Sequence, residues 1–208
     1  MEVMSTTLEI PTPPRILVVE SEPPLSDEEF EELCLANDLV QFERTKDGKI
    51  EVNPPAAGFA SDGNAEIIYQ LKAWWNDHER GRVFDSSAGF FLPDGSMLSP
   101  DAAYITKEKS RNITEQEGRR FLRMVPDFVV ELLSGSDSLS KTKRKMESWI
   151  RNGVALGWLV DPYKKQVLVY EPRKTVRVET GTVVKGTGPV EGFTLNLKKV
   201  WRRYEPEE

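Results

Sequence analysis

Phe128-Val129-Val130-Glu131-Leu132-Leu133 is a continuous apolar run with a single carboxylate inside it. A run this short and this apolar suits a β-strand buried on both faces, at the centre of a sheet covered on either side. An unpaired charge in such a place is costly. Glu131 is therefore neutralised, paired or bound to a metal, or else the strand end dips into solvent.

The elements around this strand agree with a covered sheet. A second buried strand, Leu156 to Val160, stops at Asp161-Pro162, and Tyr163-Lys164-Lys165 turns it into Gln166 to Tyr170. Between the two, residues 140–152 place Met146, Trp149 and Ile150 on one helical stripe, ended by Gly153. Ser26 and Glu29 form a capping-box pattern for a short helix ending near Asn37-Asp38. A hairpin follows, Val40 to Thr45 and Lys49 to Asn53 about a turn at Asp47-Gly48. Residues 64–79 carry Ile67, Ile68, Leu71, Trp74 and Trp75 at helical spacing. A second hairpin joins Gly89 to Leu92 with Met97 to Ile105 through Pro93-Asp94-Gly95. Thr114 and Glu117 begin a short helix within the polar stretch 106–125, and residues 174–200 hold short Val- and Thr-rich strands. This order predicts a mixed α/β (α+β) fold with one central sheet flanked by helices.

The 208 residues fit one domain. The five prolines within residues 1–24 read as an extended N-terminal arm, with one strand at Ile16 to Val19, and residues 25–205 as the domain. No apolar run approaches the ~20 residues of a membrane-spanning helix. The start, MEVMSTTLEIPTPP, has neither a basic nor an apolar stretch, so the cytoplasm is the expected compartment. The single cysteine, Cys34, excludes an intramolecular disulfide and Cys-rich zinc sites. A net charge of −6 argues against avid, sequence-independent binding of nucleic acid but leaves room for a local basic patch.

Two further residues stand out beside Glu131. Asp101 lies in Ser99-Pro100-Asp101-Ala102-Ala103-Tyr104-Ile105, where aspartate is disfavoured within a strand; the plain alternative is a turn residue after Pro100. Lys145 lies one residue, ~100° of rotation, from Met146 and so borders the buried stripe of its helix. Its long stem can reach a polar pocket at the strand edge. Lys141, Lys143 and Arg144 read as a solvated face.

Ser99-Pro100-Asp101, then Pro126-Asp127 leading into Phe128 to Ser134, then Lys145, Trp149, Asn152-Gly153-Val154 and Gly157-Trp158-Leu159-Val160-Asp161-Pro162, resemble a large bacterial family of predicted endonucleases. That family was long catalogued as a domain of unknown function and belongs to the PD-(D/E)xK, restriction-endonuclease-like superfamily. The resemblance spans roughly residues 25–205. It implies a central mixed sheet with helices on both sides and Mg²⁺-dependent hydrolysis of phosphodiesters, with Mn²⁺ as a substitute. It makes Asp101 the motif aspartate and Glu131 the motif acid. Leu133 stands where the motif lysine belongs, and Lys145 on the following helix is the matching position. Asp127 replaces Asp101 if the alignment is shifted. Many relatives carry a histidine near Asn64, whereas the one histidine here is His78. Asn64, and Glu66 on the same turn, are secondary candidates.

A Mg²⁺ ion held by one or two carboxylates, several waters and a backbone carbonyl supplies the charge such hydrolysis needs. Asp101, Glu131 and the carbonyl of Leu132 form the expected metal set. Lys145 would position or deprotonate the attacking water, or offset charge in the transition state. Without a histidine near Ser99 or Ser134, a Ser-His-Asp hydrolase is not expected. The expected partner is nucleic acid, DNA above all, and no membrane. Loops 54–63 and 106–125 are candidates for reading bases, and the apolar residues of 156–170 for a homodimer surface. Two other readings share these residues: a non-catalytic binding or regulatory protein on the same fold, and a Mg²⁺-dependent phosphoesterase acting on nucleotides or nucleic-acid ends.

Overall fold

The computed structural model describes residues 17–37, 39–78, 81–135 and 137–205; the side chains of residues 77 and 78, His78 among them, lie outside this description. The chain begins with β1 (Leu17–Val19), α1 (Asp27–Ala36), β2 (Gln41–Arg44) and β3 (Ile50–Asn53). The long helix α2 (Gly58–His78) follows, then β4 (Gly81–Phe84), β5 (Phe90–Phe91), β6 (Met97–Leu98) and β7 (Ala102–Thr106). A short α3 (Lys107–Ser110) precedes β8 (Phe128–Leu132), α4 (Leu139–Arg151), β9 (Leu156–Asp161) and β10 (Gln166–Tyr170). The last elements are β11 (Arg177–Glu179), β12 (Val183–Lys185), β13 (Thr194–Asn196) and α5 (Leu197–Trp201).

Six strands form the central sheet in the order β11-β10-β9-β8-β7-β4. β8 and β9 run parallel and the remaining neighbours antiparallel, so the sheet is mixed. β8 is buried along its whole length, as its sequence requires. Its side chains alternate between two cores. Phe128, Val130 and Leu132 pack with Ile67 and Leu71 of α2 and Leu197, Val200 and Trp201 of α5. Val129 and Leu133 pack with Met146 and Trp149 of α4. Glu131 has the parity of the second set and so faces α4.

The single sheet expected from the sequence is joined by a second, five-stranded one, β1-β3-β2-β6-β5, and by a β12-β13 pair. The strand expected to run from Met97 to Ile105 is broken at Ser99-Pro100-Asp101. β6 pairs with β2 and β5 in the second sheet, and β7 pairs with β4 and β8 in the first. Pro100 has no amide for a ladder, and the Ser99 amide donates to a side chain, Glu43 Oε1, at 2.8 Å. The break is the hinge that brings the two sheets together over α4.

Other differences are smaller. α2 starts at Gly58, so most of the expected loop 54–63 is helix. The polar stretch 106–125 contains α3 and a 3₁₀ turn at Glu117–Arg119, where Thr114 and Glu117 bond reciprocally. Residues 197–201 are helical where short strands were expected, with Asn196 Oδ1 accepting from the Lys198 amide at 3.1 Å. Leu17–Val19 of the expected arm pairs with β3; residues 1–16 lie outside the described residues. The apolar residues of β9 and β10 are buried in the two cores, whereas Tyr163 in the turn between them is exposed.

β7 is held on its outer side by β4. Gly81 there has φ +145°, and a Cβ on it would lie 2.0 Å from the Ile105 carbonyl oxygen. Its own carbonyl accepts the Trp75 indole N–H at 2.7 Å. Gly81→Ala is expected to destabilise the protein by roughly 3 kcal/mol, since backbone must move at a strained position. Urea denaturation measures it; a loss under about 1 kcal/mol would show that the edge strand yields freely.

Candidate active site

The antiparallel register pairs Ala102 with Val130, so Asp101 comes opposite Glu131 at the mouth of β7 and β8. Asp101 Oδ2 accepts the Leu132 amide at 2.7 Å, in place of the ladder bond that β7 no longer supplies. The amide and carbonyl of one strand residue leave the chain on the same side, so the Leu132 carbonyl also faces Asp101. Asn64, in the second turn of α2, reaches Asp101 Oδ1 at 3.5 Å. Its own Oδ1 is buried without a hydrogen-bond partner.

Lys145 extends from α4 towards the same strand end. Its ammonium donates to the Ser99 carbonyl at 2.8 Å, lies 2.8 Å from Glu43 Oε1, and sits 3.1 Å from both Glu131 oxygens. Glu131 Oε1 also accepts the Trp149 indole N–H at 2.8 Å. The i, i+4 spacing of Lys145 and Trp149 places both on one helix face above the carboxylate. Glu131 is 4% exposed and Glu43 5%, so these charges face each other and not solvent.

Burial governs the protonation of this group. It pushes Glu131 up to about 8, against the downward pull of Lys145. It likewise raises Asp101, again against Lys145. Burial alone would lower the Lys145 ammonium, but Glu131, Glu43 and Asp101 outweigh it and hold Lys145 above its ordinary value. Lys145 is a firm cation facing more carboxylates than it can neutralise.

Between its ordinary 4.5 and about 8, folded Glu131 keeps a proton that the unfolded chain has lost. Stability from this group is full below 4.5 and is lost as pH rises towards 8, and Asp101 adds in the same direction. The urea midpoint of the metal-free protein is expected to fall from pH 5 to pH 8, and Glu131→Gln to flatten that slope. A wild-type midpoint that rises over this range would contradict the assignment.

The remaining candidates lie apart from this group. Glu66 is bound to Arg203 at 2.8 Å and to Gln70 at 2.9 Å, which closes α2 onto the C-terminal segment. Asp127 is at the other end of β8, about 13 Å from Glu131 along the strand. It is paired with Lys109 at 2.8 Å and accepts the Thr106 amide at 2.8 Å. That geometry separates Asp127 from Lys145 and leaves Asp101 as the acid opposite Glu131. Glu43 was not singled out from the sequence. The one local signal is the charged pair Glu43-Arg44, buried together within a strand.

Among the described residues no group of three or more His, Cys, Asp or Glu side chains is arranged to hold a metal ion. A hard divalent cation needs less when substrate and water complete its shell. The buried Glu131, the half-buried Asp101, a carbonyl on the same side and the unpartnered Asn64 oxygen offer oxygen donors only. These residues fit Mg²⁺ or Mn²⁺.

The mixed sheet with helices on both faces is the arrangement expected of a restriction-endonuclease-like fold. Residues 27–198 match the Uma2 family, described as "Putative restriction endonuclease", and the chain belongs to that family. Among solved structures it is similar to a "putative nuclease belonging to DUF820" from Anabaena variabilis ATCC 29413. The TM-score is 0.71 at 21% identity, over 86% of this chain and 99% of the other. At that identity the likeness speaks for the fold. No curated protein matches the chain. Among the described residues no helix is long and apolar enough to cross a membrane.

Proposed function

We propose that this protein is a Mg²⁺-dependent endonuclease that hydrolyses phosphodiester bonds of nucleic acid, DNA above all, in the cytoplasm. The observation that carries the reading is the half-buried Lys145 ammonium facing Glu131, with Asp101 opposite it in register. Asp101, Glu131 and the Leu132 carbonyl would hold the cation, which supplies charge to the scissile phosphate and acidifies water. Asp101 is fixed in advance by the Leu132 amide, and Glu131 by the Trp149 indole. Such anchoring limits the reorganisation needed as charge develops. Lys145, kept protonated by its carboxylates, is suited to stabilise charge on the phosphate and not to take a proton from water. Lys143 and Arg144, beside it on α4, pair with no carboxylate among the described residues and would meet the flanking phosphates.

The test is incubation of the purified protein with supercoiled plasmid and with single-stranded DNA, in Mg²⁺, Mn²⁺ or EDTA. Cutting with either metal and none with EDTA is expected. Folded protein that binds DNA without cutting it would favour a binding or regulatory role. Release of phosphate from nucleotides or nucleic-acid ends alone would favour a phosphoesterase.

A further inference from the structure

We propose that Glu43 is a positioning residue: as the standing counter-ion of Lys145, it keeps the ammonium in place while Glu131 turns to a divalent cation. This rests on the function proposed above.

Glu43 belongs to β2 of the five-stranded sheet, not to the central sheet that carries Asp101 and Glu131. Its carboxylate is nonetheless buried against α4, and Lys145 is the one cation paired with it among the described residues. The neighbouring Arg44 points elsewhere, bonding Asp27, the Leu25 carbonyl and the Gly95 carbonyl. Glu43 Oε1 also accepts the Ser99 amide, and the Ser99 carbonyl accepts from Lys145. Glu43, Ser99 and Lys145 therefore close a ring that contains no proposed metal ligand.

An ammonium has three N–H groups. The 2.8 Å contacts of Lys145 go to Glu43 and the Ser99 carbonyl, whereas Glu131 is met at 3.1 Å by both oxygens. The two shorter contacts are the firmer ones, and the longer, divided one is the easier to give up. Once Glu131 serves a dication, Lys145 would otherwise be a half-buried ammonium beside two new positive charges. It would then swing away or lose its proton. Glu43 offsets that repulsion without touching the metal. The ring also explains why a strand from the second sheet closes over α4.

The competing role is purely structural, with Glu43 serving only to satisfy the Ser99 amide and join the two sheets. Glu43→Gln separates the two, because the amide oxygen still accepts from Ser99 while the charge is gone. Three quantities are read on the full chain: Mn²⁺ affinity by calorimetry, the single-turnover cleavage rate at saturating Mg²⁺ and DNA, and the ¹H–¹⁵N signal of the Lys145 ammonium with and without Mg²⁺. The expected result is Mn²⁺ affinity within about threefold of wild type and a rate lowered ~10–100-fold. The ammonium signal should survive Mg²⁺ in the wild type and be lost with Mg²⁺ in Glu43→Gln. An unchanged rate would overturn the proposal, and so would a tenfold or greater loss of Mn²⁺ affinity, which would make Glu43 a ligand. Loss of the wild-type ammonium signal on adding Mg²⁺ would overturn it without any variant. A wild type that neither binds metal nor cuts would overturn the functional reading and this proposal together, whereas a cutting wild type matched by Glu43→Gln overturns this proposal alone.

Discussion

Lys145→Met is expected to destabilise the metal-free protein by ~3–5 kcal/mol at pH 8, the usual consequence of removing one partner from a buried ion pair. The methionine fills much the same space, so the loss is electrostatic. Glu131 and Glu43, both buried, are left facing each other without a cation. Protonation of Glu131 relieves their repulsion, and the destabilisation should therefore shrink as pH falls to 5. Adding Glu131→Gln should recover part of the loss, because one of the two opposed charges is then gone. Urea denaturation of the single and double variants at pH 5 and 8 reads all three effects. A loss that is the same at both pH values would mean that Lys145 matters for packing and not for charge.

Asp101→Asn and Glu131→Gln are each expected to lower DNA cleavage by ~10²–10³-fold or more, with the fold intact. Both substitutions keep the shape of the side chain. An asparagine at position 101 can still accept the Leu132 amide through its oxygen, and the Trp149 indole can still bond a glutamine at position 131. What each removes is a negative charge towards the cation. The two losses should not add, because either acid alone leaves the cation underheld. Glu131→Gln should also leave the metal-free protein as stable as the wild type or more so at pH 8, since it removes a buried carboxylate that burial disfavours. Activity lost together with stability would point to a structural role, and activity retained would remove the residue from the site.

The central strands, the helix between them and the buried position of Glu131 were legible because each rests on local pattern. A carboxylate in a run as apolar as Phe128 to Leu133 has few places to go, and Met146 and Trp149 mark the face of α4 that meets it. Asp101 was legible only through the resemblance, because a proline before an aspartate is equally the mark of a turn. Here it is both a break between strands and an acid at the strand mouth. Glu43 was not legible. It alternates with Phe42 as a surface residue of a hairpin would, and nothing near it shows that a second sheet folds over Lys145. That contact joins segments far apart in the chain, which no local period encodes. The helix at Leu197–Trp201 was hidden for a related reason: its apolar residues have no room for a repeating stripe, and its burial against α2 decides its form. Asp127 shows the opposite hazard, a motif-like residue whose pairing with Lys109 places it at the far end of the strand.

In the proposed function, Asp101 and Glu131 together hold one divalent cation beside Lys145. Titration of the protein with Mn²⁺, followed by electron paramagnetic resonance and by calorimetry at pH 6 and 8, tests it most directly. Binding is expected to be tighter at pH 8, with proton release at pH 6 as Glu131 gives up its proton, and to be weakened at least ~10-fold by either Asp101→Asn or Glu131→Gln. Mn²⁺ bound equally well by wild type and both variants, or bound without proton release at pH 6, would contradict it.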